Sequence, residues 1–304
     1  MKEFKMDFYS TTNLKSYNLN ESMRYQLAML DSLDVFTRLH SENVANLTCR
    51  ICEYMHLKDY FTVYCTICAY LHDIGKQFIP SRILQKNGSL TDEEFAVMKT
   101  HTTIGYNMCM RDEKLRPYAT GTIYHHEALD GTGYPNGVSK KNLPLEGQII
   151  RVADEFDAIT AKRQYKSHVD ICDTLKILIN ETYPNKKIGA KIGKLNPKVV
   201  KALIKVVIDD TEYELYNLGE YVKYLEKEVN RLKQIASYGD KMNNAHSETD
   251  RAYYANGISA LLDSGETFEN YKTVLNEYIQ ASIAKKQQMD KLNEELSKIK
   301  KLKV

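Results

Sequence analysis

The sequence predicts an all-α fold with a helical, coiled-coil-like C-terminal appendage, and three features support that prediction. Prolines are few, six in 304 residues, so helices are seldom interrupted. Long alternations of β-branched residues, which are typical of strands, are absent from the sequence. From about residue 21 to about residue 208, apolar residues recur at helical spacing between short turns of Gly, Pro and Asn.

The composition excludes several classes of protein. Hydrophobic residues make up 43% of the chain and charged residues 27%, as in an ordinary globular protein. A net charge of +2 produces no overall field that would favour a nucleic acid polymer or a membrane surface, so an anionic substrate needs a local site. No apolar run reaches the roughly 18 residues of a membrane span. The N-terminus lacks the pattern of a signal peptide, so we expect a cytoplasmic protein with reduced cysteines.

Three segments of the main part of the chain carry recognisable element signals. Thr91 and Glu94 have the spacing of a capping box, which starts a helix that we expect to carry His101. The stretch 125–144 is rich in Gly and Pro and is predicted to be a structured loop. A regular helix follows this loop, and its broad apolar face surrounds Asp154.

After about residue 210 the apolar residues fall at spacings of four and three, the pattern of a heptad seam. The seam consists of Leu218, Val222, Leu225, Val229, Leu232 and Ala236. We therefore divide the chain into a main domain, 1–210, and a helical appendage, 211–304. Such a stripe must be buried, either in an antiparallel helix pair within the appendage or against a second chain in a homodimer. A regulatory role is a further expectation, and helices that merely pad the main domain are the alternative.

Two Cys-x-x-Cys pairs, Cys49 with Cys52 and Cys65 with Cys68, raise the question of a zinc site. Sites of that kind use tight turns, usually with Gly, to direct two thiolates to one ion. The flanking sequences here contain neither Gly nor Pro and have helical periodicity. We therefore interpret these four cysteines as small core residues.

A histidine and an acid stand side by side in an apolar segment, as His72 and Asp73. Burial of such groups without partners is costly, and a metal dication is the natural partner. Lys76 follows four residues after His72 and can reach the same site if the helix continues. Asp154 is likewise an acid within an apolar helix.

Five histidines occur in segments of this kind, namely His40, His72, His101, His125 and His126. With the two acids they offer more donors than one octahedral ion accepts. If Asp73 bridges, the set divides into two groups of ligands with positions left for water. Nitrogen and oxygen donors without thiolate favour iron, manganese or zinc over calcium or magnesium.

The order of these motifs resembles the HD-GYP family, a branch of the HD phosphohydrolase superfamily. The matching segments are His40-x-x-x-Val44, HDIGK at 72–76, ILQKNGSLTDEEFAVMKTH ending at His101, HHEALDGTGYP at 125–135, RVADEFDAIT at 151–160 and RQYK at 163–166. The match covers about residues 30–170. Thr102 and Gln164 depart from it, because the family usually has proline at both positions.

The resemblance implies an HD-type, all-α, metal-dependent phosphohydrolase domain with two divalent transition-metal ions per chain, with iron or manganese favoured. It implies one ion on His40, His72 and Asp154, a second on His101, His125 and His126, and Asp73 as the bridge between them. Some members bind a third ion through a glutamate four residues before the first histidine. Phe36 occupies that position here, so we expect two ions.

The resemblance also implies an activity, the hydrolysis of cyclic di-GMP to pGpG or GMP by a metal-activated hydroxide. Lys76 is expected to act beside Asp73 by binding a phosphate oxygen and stabilising its negative charge. Arg163 and Lys166 resemble the family's phosphate-binding pair. Tyr134 is either a substrate contact or a structural residue.

Two other functions stay open from the sequence. One is a phosphodiesterase for another cyclic dinucleotide, such as cyclic GMP-AMP. The other is a cyclic dinucleotide receptor without turnover, with the helical tail as its signalling surface. Receptors of this kind usually lack some of the metal-ligand residues. All seven of these positions carry a suitable residue here, which favours an enzyme.

Overall fold

A computed structural model describes residues 33–160 and 170–304 of the chain, and these residues form helices and connecting turns without a strand. The α-helices in chain order are α1 (Val35–Tyr54), α2 (Asp59–Leu71), α3 (Ser81–Leu84), α4 (Asp92–Lys99), α5 (His101–Arg111), α6 (Ala119–Tyr124), α7 (Leu145–Thr160), α8 (Ile171–Glu181), α9 (Pro197–Asn243), α10 (Glu248–Leu261) and α11 (Tyr271–Ile299). Short 3₁₀ helices lie at Ile74–Phe78, Arg116–Tyr118 and Lys186–Ile188. The predicted all-α class is confirmed.

The chain divides into two compact units, one of Met1–Val207 with Lys301–Val304 and one of Ile208–Lys300. The division falls inside α9, three residues before the boundary expected from the sequence. None of the described helices combines the length and apolarity that crossing a bilayer requires.

The core of the first unit is built around α1, which packs against α2 and α7, while α6 packs against α2 and α5. The largest fully buried side chains of this unit are Ile51, Ile67, Leu71, Ile74, Leu115, Ile149, Ile150, Leu175, Leu178, Leu195 and Leu203. The four cysteines of the Cys-x-x-Cys pairs are buried with them, on α1 and α2.

The capping box is present at the start of α4. Thr91 Oγ1 accepts from the Glu94 amide at 3.2 Å, and the Glu94 carboxylate accepts from the Thr91 amide at 2.9 Å. The expectation that this helix carries His101 was wrong, because α4 ends at Lys99 and His101 begins α5. Both the amide and the hydroxyl of Thr100 donate to the Val97 carbonyl, at 3.1 and 2.6 Å. This tightened turn ends one helix before the next begins.

The second unit has a small core of its own, formed by Leu232 and Ile235 of α9, Ile258 of α10 and Tyr271 of α11. Its helix α11 runs antiparallel to α9, because Glu212 pairs with Lys300 and Glu226 pairs with Lys286, both at 2.6 Å.

The predicted seam of α9 lies only in part on the buried face of this helix. Val222, Leu225 and Leu232 are buried, whereas Val229 and Ala236 are only half-buried, and Glu228 and Ile235 are buried beside them. The appendage therefore covers most of the seam with its own helices, one of the two arrangements that the sequence left open. Self-association through these helices stays a prediction.

An ion-pair network closes the end of the second unit. The two terminal nitrogens of Arg231 donate to the two carboxylate oxygens of Glu266, each at 2.7 Å, and its Nε donates to Glu228 at 2.8 Å. The same guanidinium donates to the Leu261 carbonyl at 2.5 Å, at the end of α10. The Arg231 and Glu266 side chains are 16% and 11% exposed, so the pair is only slightly screened by water.

We expect Arg231→Ala to destabilise the second unit by about 3 kcal/mol, because it leaves Glu266 largely buried without its partner. Hydrogen exchange of the α9–α11 amides measures this free energy of opening. Lys223→Ala is the matched control, since its pair with Glu220 is exposed and such pairs contribute little to stability. Equal effects of the two substitutions would contradict a structural role for the network.

Candidate metal centre

Five separate helices or helix ends converge on one site in the first unit. The contributing residues are His40 in α1, His72 and Asp73 at the end of α2, His101 at the start of α5, His125 and His126 after α6, and Asp154 in α7. The structure thus brings together all seven side chains that the sequence singled out as ligands.

One group of potential ligands consists of His40, His72 and Asp73, which offer ligand atoms within 4.8 Å of one another. Asp154 adjoins this group, with Oδ1 lying 3.0 Å from His40 Nε2 and 4.0 Å from His72 Nε2. Nitrogen and carboxylate donors therefore surround one point from three helices.

A second group consists of His101, His125 and His126, again with ligand atoms within 4.8 Å of one another. The Nε2 atoms of His101 and His125 approach to 3.1 Å. His126 lies on the more open side of this group, with a side chain that is 24% exposed.

The carboxylate of Asp73 lies between the two groups and is only 1% exposed. Its Oδ2 is 3.6 Å from His40 Nε2 and 3.2 Å from His72 Nε2. Its Oδ1 is 3.3 Å from His101 Nε2 and 3.9 Å from His125 Nε2. Each oxygen therefore faces a different group, which is the arrangement that a bridging ligand requires.

Hydrogen bonds on the outer side of the rings determine which nitrogen of each histidine faces inward. The Nδ1 atoms of His72, His101 and His125 contact the backbone carbonyls of Ala69, Met98 and Gly121 at 2.6, 2.7 and 3.0 Å. A carbonyl only accepts, so each Nδ1 carries a proton and each ring turns its Nε2, the nitrogen that can bind a metal, towards the centre.

This arrangement fits a bound cation. The His101 and His125 lone pairs meet at 3.1 Å with no proton between them, which is repulsive unless a positive charge lies nearby. Among the described residues, the buried atoms without a hydrogen-bond partner include His72 Nε2 and Asp73 Oδ1. Unpaired buried polar atoms are costly, and divalent transition-metal ions suit such imidazole and carboxylate donors.

The electrostatics of the site prepare most of these groups for ligation. Burial opposes ionisation of Asp73, but the neighbouring His72 and Lys76 outweigh it and hold the pKa of the carboxyl well below its usual range. Burial lowers the pKa of His125 far below its ordinary value and that of His126 to about 3. The acid is therefore ionised and both rings are neutral at pH 7, as metal binding demands.

His40 differs from the other histidines of the centre. Burial would lower its pKa, but hydrogen bonds to Asp154 and Asp157 outweigh burial and raise it to about 9. A metal ion would therefore have to displace a proton from this ring.

Sequence analysis missed Asp157, whose carboxylate lies 2.7 Å from His40 Nδ1. It follows Asp154 by three residues on α7, so the two acids share one helix face and hold the ring from two sides. The i, i+3 spacing of two acids in the RVADEFDAIT segment was the signal that could have found it.

Sequence analysis also missed Glu127, a fully buried acid that shapes the loop after α6. Its two oxygens accept from the amides of Asn136 and Val138 at 2.7 and 2.8 Å. A Cβ added to Gly133 would lie 2.5 Å from the Glu127 Cα, so only glycine permits the loop to lie this close. The loop therefore holds Tyr134 beside His126, with their rings stacked at 4.6 Å.

The remaining predicted site residues divide into two sets. Lys76 donates to Asp73 and is 20% exposed, so its ammonium lies at the centre and within reach of a ligand. Arg163 and Lys166 lie outside the described residues. Phe36 is 72% exposed and offers no ligand atom.

The helical fold and the paired groups of histidines and acids define the class as an α-helical domain with a candidate metal centre. The family model "HD domain" matches residues 22–187, more than half of the chain. The chain therefore belongs to the HD domain family, and the resemblance to its HD-GYP branch is confirmed.

Named relatives include a cyclic di-GMP phosphodiesterase of Thermotoga maritima, 39% identical over 59% of this chain and 47% of the relative. The cyclic di-GMP phosphodiesterase PA4108 of Pseudomonas aeruginosa is 30% identical over 60% of this chain and 42% of the relative. The 3′3′-cGAMP-specific phosphodiesterase 3 of Vibrio cholerae is 34% identical over 49% of this chain and 33% of the relative. The matched part of the chain spans less than half the length of each of these proteins.

We expect Asp157→Asn to weaken metal binding about 10- to 100-fold, as loss of a partner that orients a ligating histidine typically does. Competition against a chelator of known affinity measures the change. Asp173→Asn, which alters an exposed carboxylate, is the matched control. An unchanged affinity would mean that Asp157 does not orient His40 for a metal.

We expect Gly75→Ala to lower both metal content and melting temperature, because an added Cβ would lie 2.0 Å from the His101 carbonyl oxygen. The forced separation of Ile74–Phe78 from α5 should cost about 1–3 kcal/mol. Gly219→Ala is the control, since its new Cβ would meet only Met289 Cε at 3.8 Å. Full metal content in Gly75→Ala would show that this contact does not set the geometry of the centre.

Proposed function

We propose that the chain is a metal-dependent phosphodiesterase that hydrolyses cyclic di-GMP to pGpG or GMP. The observation that carries the proposal is the buried Asp73 carboxylate, whose two oxygens face two separate groups of imidazoles. The names of the relatives from Thermotoga maritima and Pseudomonas aeruginosa support the choice of substrate.

We propose two divalent transition-metal ions per chain, iron or manganese, on the residues assigned to them from the sequence. His40, His72 and Asp154 would hold one ion, His101, His125 and His126 the other, with Asp73 shared. When bound, two ions in such a site activate water for attack on phosphorus and neutralise phosphate charge.

The chain's own residues have distinct parts in this proposal. Lys76 would bind an oxygen of the scissile phosphate and stabilise the negative charge that grows on it during hydrolysis. Its ion pair with Asp73 positions the ammonium at the edge of the centre. Tyr134, stacked on His126, is placed to contact the sugar or base next to that phosphate. The phosphate-binding roles of Arg163 and Lys166 stay predictions from the resemblance.

A second candidate substrate is 3′3′-cGAMP, because a relative 34% identical to this chain is named as specific for it. Turnover of each cyclic dinucleotide by one metal-loaded preparation compares the two candidates directly. A receptor would bind the nucleotide without turnover. The cytoplasmic location and the regulatory role of the second unit also stay predictions.

We expect Asp73→Ala to abolish turnover and to remove or disorder both ions, because one carboxylate serves both groups. His40→Ala should weaken mainly one ion. Elemental analysis of protein purified without oxygen, paired with turnover of cyclic di-GMP, measures both effects. His246→Ala, an exposed histidine of the second unit, should change neither quantity.

Two results would overturn this assignment. A fully active Asp73→Ala variant would exclude the proposed role of the carboxylate. A wild-type protein that is active with a single ion per chain would exclude the division into two groups.

A further inference from the structure

His126 is the most exposed of the five histidines at the centre. The side chains of His72, His101 and His125 are 0 to 1% exposed, whereas that of His126 is 24% exposed. A ligand that reaches the centre past this histidine meets the residues that surround it.

Three side chains continue outward from His126 and are here named the rim shelf: Tyr134, Phe95 and Lys99. The Tyr134 ring stacks on His126 at 4.6 Å, and the Phe95 ring stands edge-on to Tyr134 at 6.2 Å. Lys99 Nζ lies 5.1 Å from the centre of the Phe95 ring and 5.9 Å from that of Tyr134. The shelf thus joins an expected metal ligand to the surface.

The position of Phe95 is not explained by the core of the protein. The helix α4 that carries it has no buried residue, and Phe95 itself is 45% exposed. Lys99 lies one helical turn later on the same face. Ligand sites combine aromatic side chains with a few polar groups, and Phe95 and Lys99 supply both beside the centre.

The chemistry of the shelf matches a purine base. Aromatic faces stack on any base, and lysine donates to the O6 and N7 acceptors of guanine. Adenine presents N7 as its one acceptor on this edge, beside the N6 amino donor. The shelf therefore offers stacking to both purines, whereas its ammonium finds two acceptors on guanine and one on adenine.

We propose that Phe95 and Lys99 form, with Tyr134, a guanine-binding surface for the base next to the reacting phosphate. This inference rests on the proposed function and adds the residues that select the base. Phe95 supplies stacking for either purine, and Lys99 supplies the preference for guanine.

The test compares steady-state turnover of cyclic di-GMP and cyclic di-AMP by metal-loaded protein. Phe95→Ala should raise KM for both nucleotides about tenfold, as loss of one stacking contact does, with kcat and metal content close to wild type. Phe95→Trp should restore KM. Lys99→Met should reduce the preference for cyclic di-GMP over cyclic di-AMP about tenfold, and Lys99→Arg should restore it.

Tyr60→Ala is the matched control, because Tyr60 is 73% exposed and lies at the opposite end of α2 from His72, about 18 Å away along the helix. It should leave KM unchanged. Metal content and melting temperature of each variant show whether the fold is intact.

The outcomes distinguish a failure of the guanine-binding proposal from a failure of the proposed function. If wild-type protein turns over cyclic di-GMP while Phe95→Ala and Lys99→Met retain its KM and base preference, the rim shelf does not bind guanine and the proposed function stands. If metal-loaded wild-type protein turns over neither nucleotide, the proposed function is wrong, and the guanine-binding proposal that rests on it is wrong as well. A fall in kcat or metal content without a change in KM would show that the shelf is structural and overturn the inference.

Discussion

The Asp73 carboxylate is the constraint on which the rest of the first unit depends. It is almost fully buried, and its two oxygens face different groups of imidazoles. A buried carboxylate is stable only with compensating positive charge nearby. Lys76 supplies one such charge at the edge, and the geometry around both oxygens suits metal ions. Asp73 and His72 follow directly after the last residue of α2. The C-terminal end of this helix therefore has to lie close to α1, α5, α6 and α7.

The remaining features of the centre hold the clustered side chains in place. Backbone carbonyls orient three of the rings through Nδ1, and Asp157 does the same for His40. Each of these contacts fixes the nitrogen that faces inward, so ring orientation is set before any ion binds. The close approach of Gly75 to the His101 backbone then sets the distance between the His72-Asp73 end of α2 and the start of α5. Precision in the site therefore comes from helix ends, where backbone carbonyls are free to accept.

Buried acids have a different structural role elsewhere in the chain. Glu127 organises the loop after α6 by accepting from two loop amides, which places Tyr134 on His126 and leads to the exposed Phe95. In the second unit, Glu266 and Glu228 hold Arg231 across the end of α10. In both places an acidic side chain organises irregular backbone through directional hydrogen bonds, which apolar packing does not supply.

The sequence by itself determined the helical class, the capping box at Thr91, the irregular loop after α6 and the identity of the seven side chains that cluster at the candidate metal centre. These features depend on local spacing or on unusual residues in apolar surroundings, which a linear pattern retains. The tertiary structure decided what depends on distant partners. The contact between His40 and Asp157 joins residues 117 positions apart, and the shelf joins α4 to the loop after α6. In α9, Glu228 and Ile235 are buried where the apolar pattern predicts Val229 and Ala236, and Glu228 pairs there with Arg231. Contacts of this kind depend on which helices pack together, and the packing of the whole fold determines that.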